Sequence, residues 1–413
     1  MSFFSVPLSG LTAAQEQLQS VSNNLANINT DGYKDQTVSF SDIFFQAGTT
    51  NGSGDPLQTG VGTKVASTNG DFTEGNLSPT GIASNMALQG DGFFITQQSD
   101  GLNEYTRAGD FTANSSGELV TPGGDLVLGY GAEAGIVSAS GPLQPLQVGS
   151  SAVAPAAPTT TFNITANLQS SAAVGATAST TFTGYDSLGT PHIFTVQYTK
   201  TGSNAWSYNI SLPAADTGGP GTSTTVASGN LVFSNTGQLT APTGTVSGIA
   251  VSPLVDGAAP MNMTWNLDDN SGNPTITQVD NPSATSYTSQ NGYASGSLLS
   301  YAVQPDGTIE GTFSNGKSLA LGQVAIAKFA NLQGLSRSGN NSFEETAASG
   351  LPVVGVAGTG GRGTVVGGSV EQSNVDIAAE FAKMIVAQQA YQANAKSVTT
   401  FDQISQTTIA MKT

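Results

Sequence analysis

Few residues of this sequence have the type and spacing that catalysis or cofactor binding requires. Gly358, Gly360 and Gly363 match the Gly-x-Gly-x-x-Gly spacing of a nucleotide-phosphate loop. Such a loop needs a helix directly after it, because the helix N-terminus faces the phosphate. The residues that follow, TVVGGSV, are typical of a strand, so we predict a flexible loop at this position.

The other candidates for chemistry are equally isolated. His192 is the single histidine in a chain without cysteine, which excludes a His/Cys metal cluster. It precedes the alternating run IFTVQY, so we predict a position on the surface of a strand. The run LDDNSGN at 267–273 lacks the Gly and Glu register of a calcium loop and is typical of a solvated turn. Glu344-Glu345 has no neighbouring base. The sequence therefore supports no enzyme, metal or cofactor.

Composition narrows the class of partner. Charged residues are 9% of the 413 residues, against about 25% in ordinary globular proteins. Lys and Arg total 11 and Asp and Glu total 28, which gives a net charge of −17. This balance argues against binding to nucleic acid or to an anionic membrane, since both need a basic surface.

The sequence also lacks targeting and membrane signals. No apolar run reaches the roughly 18 residues of a transmembrane helix, so we expect no membrane insertion. The opening residues, MSFFSVPLSGLTAAQ, have no Lys or Arg before an apolar core, unlike a cleaved signal peptide. We expect a cytosolic protein or one exported by another route.

Two segments have helical periodicity, and they are the two ends of the chain. In the first, Leu11, Leu18 and Leu25 are seven residues apart and Ala14, Val21 and Ile28 form a second series, which together make a heptad seam. Pro7 places the helix start nearby, and Asp31-Gly32 ends the helix.

The second helical segment lies near the C-terminus. Its apolar stripe comprises Ile377, Phe381, Met384, Tyr391, Ala395 and Val398. Ser373 or Asn374 is the expected N-cap.

The residues between the two ends predict strands and turns. Asn-Gly or Asp-Gly pairs, which favour tight turns, occur at 31, 51, 69, 91, 100, 291, 306 and 315. A Pro/Ala/Thr run at 150–161 is typical of a linker, and Thr, Ser and Gly rise further from about 160 to 284. The fold class we predict is mainly β with terminal α-helices that pair as a coiled coil, followed by two β-rich domains, the second inserted in the first.

The polar side chains on the surface of the N-terminal helix indicate what the helix contacts. Residues 1–30 carry one charged side chain, Glu16, and the other polar residues are amides and hydroxyls. An ordinary surface helix carries charges on its wet face, whereas a helix that contacts protein on several sides need not. Because helices of this length are marginal alone in water, we expect the ends to become ordered mainly on self-association.

At both ends the residues resemble a known family. The segments GLTAAQEQLQSVSNNLANINTDGYK and SNVDIAAEFAKMIVAQQAYQANAKSV are similar to the terminal signatures of the flagellar rod and hook proteins of bacteria. GDGFF at 90–94, YTRAGDF at 105–111 and FANLQGLSRSGNNSFEETAASG at 329–350 also fit. TGYDSLGTPHIFTVQY at 183–198 resembles the middle domain of hook members, so hook is favoured over the alternative of a distal rod or other axial protein.

The resemblance implies a structural, non-enzymatic subunit that polymerises into a curved tube outside the cell and transmits torque as a universal joint. It implies export through the flagellar type III apparatus without a cleaved signal peptide. The implied partners are sibling subunits, the distal rod protein, the hook cap and the hook–filament junction proteins. Two other classes remain, a secreted β-rich adhesin and a hydrolase, but an adhesin has no need of matched helical ends.

From this resemblance and the composition we expect four regions. They are a terminal helical domain (1–30 and 371–413), an extended connecting segment (31–72 and 359–370), a β-rich middle domain (73–148 and 285–358) and an inserted outer β domain (149–284).

Two groups of residues are the candidate sites. The self-assembly seam comprises Leu11, Leu18, Val21, Leu25, Ile28, Ile377, Phe381, Met384, Tyr391 and Val398, which we expect to pack within and between subunits. Phe40 and Phe44 are a candidate export-gate element, because family members carry an aromatic-x-x-x-apolar element here. Simple packing of the two rings is an equal alternative.

Overall fold

The computed structural model describes residues 5–50, 56–149 and 152–411. The chain divides into two compact units. Unit 1 comprises Met1–Gly149, Ser300–Gly311 and Leu319–Thr413, and unit 2 comprises Ser150–Leu299 and Thr312–Ser318. The first residues of the predicted linker, 150 and 151, lie outside the described residues, as does the predicted turn at 51.

The described residues form short helices and many strands, with a long helix at each end. The N-terminal part contains α1 (Ser5–Ala26), β1 (Gln36–Thr50), β2 (Pro56–Gly70), β3 (Leu77–Pro79), β4 (Met86–Gln89), β5 (Phe93–Gln97), β6 (Asn103–Thr106), β7 (Thr112–Ala113), β8 (Leu119–Val120), β9 (Leu126–Glu133), β10 (Ile136–Val137) and β11 (Leu143–Pro145). The central part contains β12 (Val153–Ala154), β13 (Thr161–Asn167), β14 (Thr177–Tyr185), β15 (Pro191–Gly202), β16 (Ala205–Pro213), α2 (Ala214–Thr217), β17 (Ser223–Phe233), β18 (Leu239–Ala241), β19 (Thr245–Val251), β20 (Met261–Asn266), β21 (Ile276–Thr277) and β22 (Ala284–Gln290). The C-terminal part contains β23 (Gly296–Val303), β24 (Thr308–Phe313), β25 (Ser318–Lys328), a 3-10 turn (Leu332–Gly334), β26 (Ser336–Gly339), β27 (Ser342–Glu344), β28 (Val353–Val356), β29 (Thr364–Gly367), β30 (Ser369–Glu371) and α3 (Ile377–Ala410).

This architecture confirms the predicted fold class of a mainly β protein with a helix at each end. Helix α1 has Pro7 in its first turn, where a missing N–H costs nothing. A turn follows α1 and contains Gly32 at φ 68°. A Cβ on Gly32 would lie 2.3 Å from the backbone N of Ala108, so both the conformation and the space require glycine.

The cap of α3 differs from the prediction. The Asp376 side chain accepts hydrogen bonds from the N–H groups of Ala378 and Ala379, which makes it the N-cap. Ser373 accepts from the N–H of Val375 instead. Asn374 binds backbone groups of the segment after α1 and of the loop after β2. The prediction of Ser373 or Asn374 as the cap is therefore wrong, because those side chains bind other segments.

Strands β1 and β2 pair along their length as an antiparallel two-stranded ribbon. The predicted turn at Asn69-Gly70 is wrong, since both residues pair with the start of β1. Helix α1 packs against both strands of this ribbon.

The β part of unit 1 is a sheet in which β5 lies between β6 and β9 and also pairs with β25. One face buries a mainly aliphatic cluster that also contains two phenylalanines, and its members include Leu88, Phe94 and Ile326. The other buries an aromatic cluster, in which Tyr105 and Phe329 meet edge to face at 4.8 Å. The alternating strands therefore have apolar residues on both faces.

Unit 2 contains two five-stranded sheets, one ordered β14-β15-β16-β17-β18 and the other β19-β20-β13-β21 with β22 on β13. Both sheets contribute to a single core, in which Trp265 lies 5.8 Å from Phe162 and 5.3 Å from Tyr208. Along β16, buried residues alternate with partly exposed ones. This is the pattern of a β-sandwich.

Two of the expected regional boundaries differ from the observed units. The inserted domain was expected at 149–284, but unit 2 extends to Leu299. Strand β22 pairs with β13, and Gly296 and Ser297 of β23 pair with β12. The connecting segment expected at 359–370 contains β29, which pairs with β4 and contributes the buried Val365. That segment is therefore packed into unit 1.

Candidate functional site

The candidate residues for catalysis or ligand binding are occupied by structural contacts. Gly358, Gly360 and Gly363 lie in the loop between β28 and β29, and a strand follows them where a phosphate loop would need a helix. Arg362 in the same loop donates from Nε to the Val356 carbonyl. In the acidic run, Asp269 Oδ1 accepts from the N–H groups of Ser271 and Asn273 and closes a tight turn.

His192 is buried, so the prediction that it lies on the surface of a strand is wrong. The side chain is 5% exposed, with Nδ1 2.9 Å from Asp216 and Nε2 3.2 Å from Asp186. Asp186, His192 and Asp256 place donor atoms within 4.8 Å of one another. Because both ring nitrogens face carboxylate oxygens, a doubly protonated imidazole satisfies the cluster by itself. We therefore interpret it as an ion cluster of unit 2 and not as a metal centre.

The paired terminal helices carry the predicted assembly seam and form the candidate site. Helices α1 and α3 pack along each other. Pro7, Ala14 and Val21, seven residues apart, are buried on α1. Glu380 and Ala387, also seven apart, are buried on α3. A seven-residue spacing therefore recurs in the buried positions of both helices. On α1 it includes the predicted Ala14 and Val21, whereas on α3 it falls on residues outside the predicted stripe.

The ten predicted seam residues fall into three groups. Val21 is buried, and Leu11, Leu18, Leu25, Ile28, Met384 and Val398 are partly buried. Ile377, Phe381 and Tyr391 are exposed, by 52%, 52% and 37%. The structure thus covers the N-terminal series and part of the C-terminal series at least partly, and it leaves Ile377, Phe381 and Tyr391 exposed.

The small residues on the buried line bring the helices close together. A Cβ on Gly10 would lie 2.8 Å from the Asn394 side-chain amide, so the backbone of α1 approaches α3 directly there. Ala14 and Ala387 are 4% and 0% exposed. The predicted leucines, Leu11, Leu18 and Leu25, lie next to this buried row of small residues and are partly buried.

A polar hub that the sequence did not predict lies where the end of α1 meets the start of α3. Asn24, fully buried on α1, donates from Nδ2 to Glu380 Oε2 at 3.1 Å and to the Gln36 carbonyl at 2.8 Å. It also contacts the Asp35 carboxylate. Its Oδ1 accepts from Gln36 N–H at 3.0 Å and from the Tyr33 hydroxyl at 3.1 Å. The amide therefore joins α1, α3 and the segment between α1 and β1.

Charged side chains of α3 and of the segment after α1 surround this hub. Lys383 Nζ lies 2.5 Å from Glu380 and 3.8 Å from Asp35. Burial, and then the nearby Glu380 carboxylate, raise the pKa of Asp35. The hydrogen bond to Glu380 raises the pKa of Lys383 against the opposing effect of burial. Lys383 therefore remains the cation that balances the two carboxylates.

A second buried charge group lies directly after the helix. Lys34 Nζ lies 2.6 Å from Glu371 Oε1, and both side chains are fully buried. Arg107 lies 3.3 Å from the other Glu371 oxygen, and the N–H of Gly75 donates to Oε1. Burial lowers the pKa of Lys34. This group fastens the segment after α1 to the strand that precedes α3.

The candidate export element lies on β1. Phe40 and Phe44 are 37% and 62% exposed, and their strand positions pair with Val65 and Gly60. Phe40 is thus mostly covered and Phe44 mostly exposed, so both the export element and simple packing of the rings stay predictions.

None of the helices in the described ranges combines the length and apolar content that crossing a lipid bilayer requires.

Comparison with known families covers both helices and both units. The "Flagella basal body rod protein" model matches residues 5–34, and the "Flagellar basal body rod FlgEFG protein C-terminal" model matches 366–411. The "Flagellar hook protein FlgE/F/G D1 domain" model matches 87–170, and the "Flagellar basal body protein FlaE D2 domain" model matches 152–293. The helical site thus coincides with segments that rod and hook proteins share.

Full-length relatives distinguish hook from rod. The flagellar hook protein FlgE of Salmonella typhimurium is 34% identical over 427 residues, which cover 99% of this chain and 100% of the relative. The chain belongs to the flagellar hook protein FlgE family. The FlgE proteins of Escherichia coli and Treponema pallidum are 34% and 32% identical, over 99% and 98% of this chain. The family predicted from the terminal signatures is confirmed.

The structure also shows buried polar contacts that the sequence did not predict. Asn24, Lys34, Glu371 and Glu380 form the buried polar contacts of the site, and none was singled out from the sequence. One signal was available, since Glu380 is an isolated acid among apolar and small residues, three positions before Lys383. A lone carboxylate on an otherwise apolar helix surface indicates a specific partner.

Proposed function

We propose that this chain is a structural, non-enzymatic subunit of the bacterial flagellar hook. Copies assemble into a curved helical tube outside the cell, which transmits torque from rod to filament as a universal joint. The observation that carries this proposal is the match to hook proteins over nearly the whole chain. The sequence alternative, a distal rod or other axial protein, is less well supported because these full-length relatives are hook proteins.

The surface of the helix pair supports assembly through the ends. Ile377, Phe381 and Ile385 are spaced four apart on α3, so they share one face of the helix, and each is more than half exposed. Val6 and Leu8 on α1 are exposed to a similar extent. Full burial of such a side chain contributes about 1.5–3 kcal/mol. Since about half of each side chain is already covered, sibling subunits that cover the rest would gain about half of that free energy, about 0.8–1.5 kcal/mol for each side chain.

The predicted seam then has two roles. The half-buried residues, such as Leu18 and Leu25, pack in part within the chain and in part against a neighbour. The outward residues Ile377 and Phe381 pack between chains. The neutral amide coat of α1 lines the inner channel, where exported chains meet few charges.

The test is electron microscopy of the concentrated, purified chain, which should show tubes. The double variant Phe381→Asp/Ile385→Asp should remain folded and form no tubes, because the new charges would have to be buried between subunits. Val174→Asp, at a 70% exposed position of unit 2, is the matched control and should assemble.

The seam residues give a second variant for the same assay. Leu18→Asp/Leu25→Asp should abolish tubes while unit 2 stays folded. Normal tubes from both helix variants would exclude the helix pair as the assembly site, and an absence of tubes from the native chain under all conditions would contradict the hook proposal.

The partners and the route of export follow from the same proposal. We propose contacts with the distal rod protein, the hook cap, the hook–filament junction proteins and the flagellar type III export apparatus. The proposed export route does not use a cleaved signal peptide. Phe40 and Phe44 are the candidate element recognised by the export gate, because part of each side chain is exposed.

A further inference from the structure

Two exposed charges of opposite sign interrupt the neutral surface of the helix pair. Glu16 is the single charged residue among residues 1–30, and residues 384–410 of α3 carry only Lys396 and Asp402. Glu16 and Lys396 are both exposed. Among the described residues, neither of these two side chains forms an ion pair. The helix pair therefore presents one unmatched acid on α1 and one unmatched base on α3.

These two charges lie too far apart to pair within one chain. The antiparallel helices place Gly10 of α1 opposite Asn394 of α3. Glu16 is six residues further along α1 and therefore lies opposite Gln388, eight residues before Lys396. Eight residues of α-helix span about 12 Å. A partner for either charge must therefore come from outside its own helix pair.

Both charged residues occupy the same position relative to the contact between the helices. Glu16 follows the buried Ala14 by two residues, and Lys396 follows Asn394, which faces α1, also by two. Two residues correspond to about 200° around an α-helix, so each side chain points away from the other helix. Because the helices are antiparallel, both side chains lie on the same side of the pair. The β1–β2 ribbon contacts this side of α1 at Ser9 but leaves Glu16 exposed.

We infer that Lys396 of one copy pairs with Glu16 of a neighbouring copy in the assembled tube. The inference rests on the proposed function, because it needs copies whose helix pairs lie side by side. In that arrangement the outer face of α3 meets the outer face of α1 from the next copy, and the two side chains converge over the boundary between them. An offset of about 12 Å along the helices brings them level.

The ion pair continues the surface proposed for assembly. Ile385 lies eleven residues before Lys396, which is about three helical turns, so the two share one face of α3. Ile385 is 55% exposed. A charge that a neighbour covers without a counter-charge keeps the cost of leaving water. Opposite charges at the boundary also exclude incorrect neighbours, because like charges would meet there. The two charges therefore select one lateral arrangement of copies.

Asp402 is the competing acid on the exposed part of α3. Its carboxylate accepts a hydrogen bond from Gln406 Nε2 at 2.9 Å, whereas Glu16 is exposed and unpaired among the described residues. We therefore place Glu16 opposite Lys396, and the experiment includes Asp402 as the other choice.

Charge reversal in the full chain tests the pair, with tubes measured by sedimentation and electron microscopy. Glu16→Lys and Lys396→Glu each bring like charges together, so each should raise the concentration needed for tubes at least ~10-fold. An equimolar mixture of the two variants should form tubes within ~3-fold of the native concentration, because alternating copies restore opposite charges at each contact. Rescue by mixing requires a contact between chains, and it also shows that both variants are folded.

Two controls carry the same changes in net charge at other exposed positions. They are Glu133→Lys in unit 1 and Lys317→Glu in unit 2. Both should form tubes at the native concentration. A rise in either control equal to that of the helix variants would assign the effect to net charge and overturn the inference.

Native tubes with an unchanged concentration threshold in both helix variants would overturn the inference and leave the proposed function intact. Raised thresholds that mixing does not lower would also overturn it, since the charges would then act within their own chain. Rescue of Lys396→Glu by Asp402→Lys in place of Glu16→Lys would assign the pair to Asp402. A native chain that forms no tubes would contradict the proposed function, and this inference would fall with it.

Discussion

Glu371 holds two cations in a place that water does not reach. Lys34 and Arg107 both contact it, and the Lys34–Glu371 pair is fully buried. A buried pair adds little net stability while it is intact, but the loss of one partner is costly because the other charge stays buried. Removal of the Glu371 charge would therefore be costly because it would leave two buried cations without a counter-charge.

Glu371→Gln should destabilise unit 1 by about 3–5 kcal/mol, because two buried cations lose their counter-charge. Hydrogen exchange of the unit 1 amides measures this loss. The matched control is Asp91→Asn, which breaks the exposed Asp91–Lys328 pair and should cost less than ~1 kcal/mol. Equal effects of the two variants would contradict the interpretation.

His192 gives unit 2 a dependence on pH. Burial alone would lower its pKa, but the hydrogen bonds to Asp216 and Asp186 outweigh burial and raise the pKa above the ordinary 6.5. The facing carboxylates come from the turn after β14 (Asp186), from α2 (Asp216) and from the loop after β19 (Asp256). The imidazolium therefore joins β15 to the turn after β14 and to α2.

The stability from His192 is complete below pH 6.5 and is lost as the pH rises through the raised pKa of the folded state. Unit 2 should therefore unfold at lower urea concentration at about pH 9 than at about pH 6. Both tryptophans, Trp206 and Trp265, lie in unit 2, so their fluorescence measures it selectively. His192→Gln should remove this difference, and a difference of the same size in that variant would assign the effect to other groups.

At the scale of elements, periodicity predicts the terminal helices well and their contacts only in part. The heptad spacing locates α1, and Asp31-Gly32 marks the turn that follows it. The spacing does not show which of two adjacent rows of residues on α1, the leucine row or the Ala14–Val21 row, is buried. The structure buries Ala14 and Val21 completely and leaves Leu18 half covered, because small residues permit close approach of the helix backbones.

Long-range polar contacts account for what the sequence could not predict. The side chain that pairs with Glu380 is 356 residues away on α1, and no local pattern links the two. His192 shares the buried face of β15 with Phe194 and Val196, so the alternation did indicate its burial. Its partners Asp186 and Asp216 lie in separate segments, which no local pattern links to it. In contrast, the alternating runs of unit 2 predicted strands correctly, since alternation follows directly from strand geometry.

The β1–β2 ribbon offers a separate test at this scale. Phe40→Ala/Phe44→Ala should reduce the amount of chain exported to the culture medium several-fold, because the proposed gate element loses both rings. Val65→Ala, at a similarly exposed position opposite Phe40, is the control and should be exported normally. Normal export of the double variant would leave the two rings without a role in export.

At the scale of the whole molecule, charge opposes association. Each copy carries a net charge of −17, so copies repel one another when they assemble. Salt shortens the range of this repulsion, from about 30 Å at 0.01 M to about 8 Å at 0.15 M.

The concentration of chain needed for tubes should therefore fall as NaCl rises over that range. Sedimentation of assembled material measures it. The Phe381→Asp/Ile385→Asp variant is the control and should remain soluble at every salt concentration. A threshold concentration that does not change with salt would show that the charges lie too far apart in the tube to interact.

The distance in sequence between Asn24 and Glu380 has a consequence for timing. A chain made from its N-terminus completes α1 long before the residues of α3 exist. Until then Asn24 has partners only in the nearby segment Tyr33–Gln36, and contacts between residues as remote as Asn24 and Glu380 form slowly. Only a chain that has been finished to its last helix can join Asn24 to Glu380, so the complete hub forms only after synthesis has reached α3.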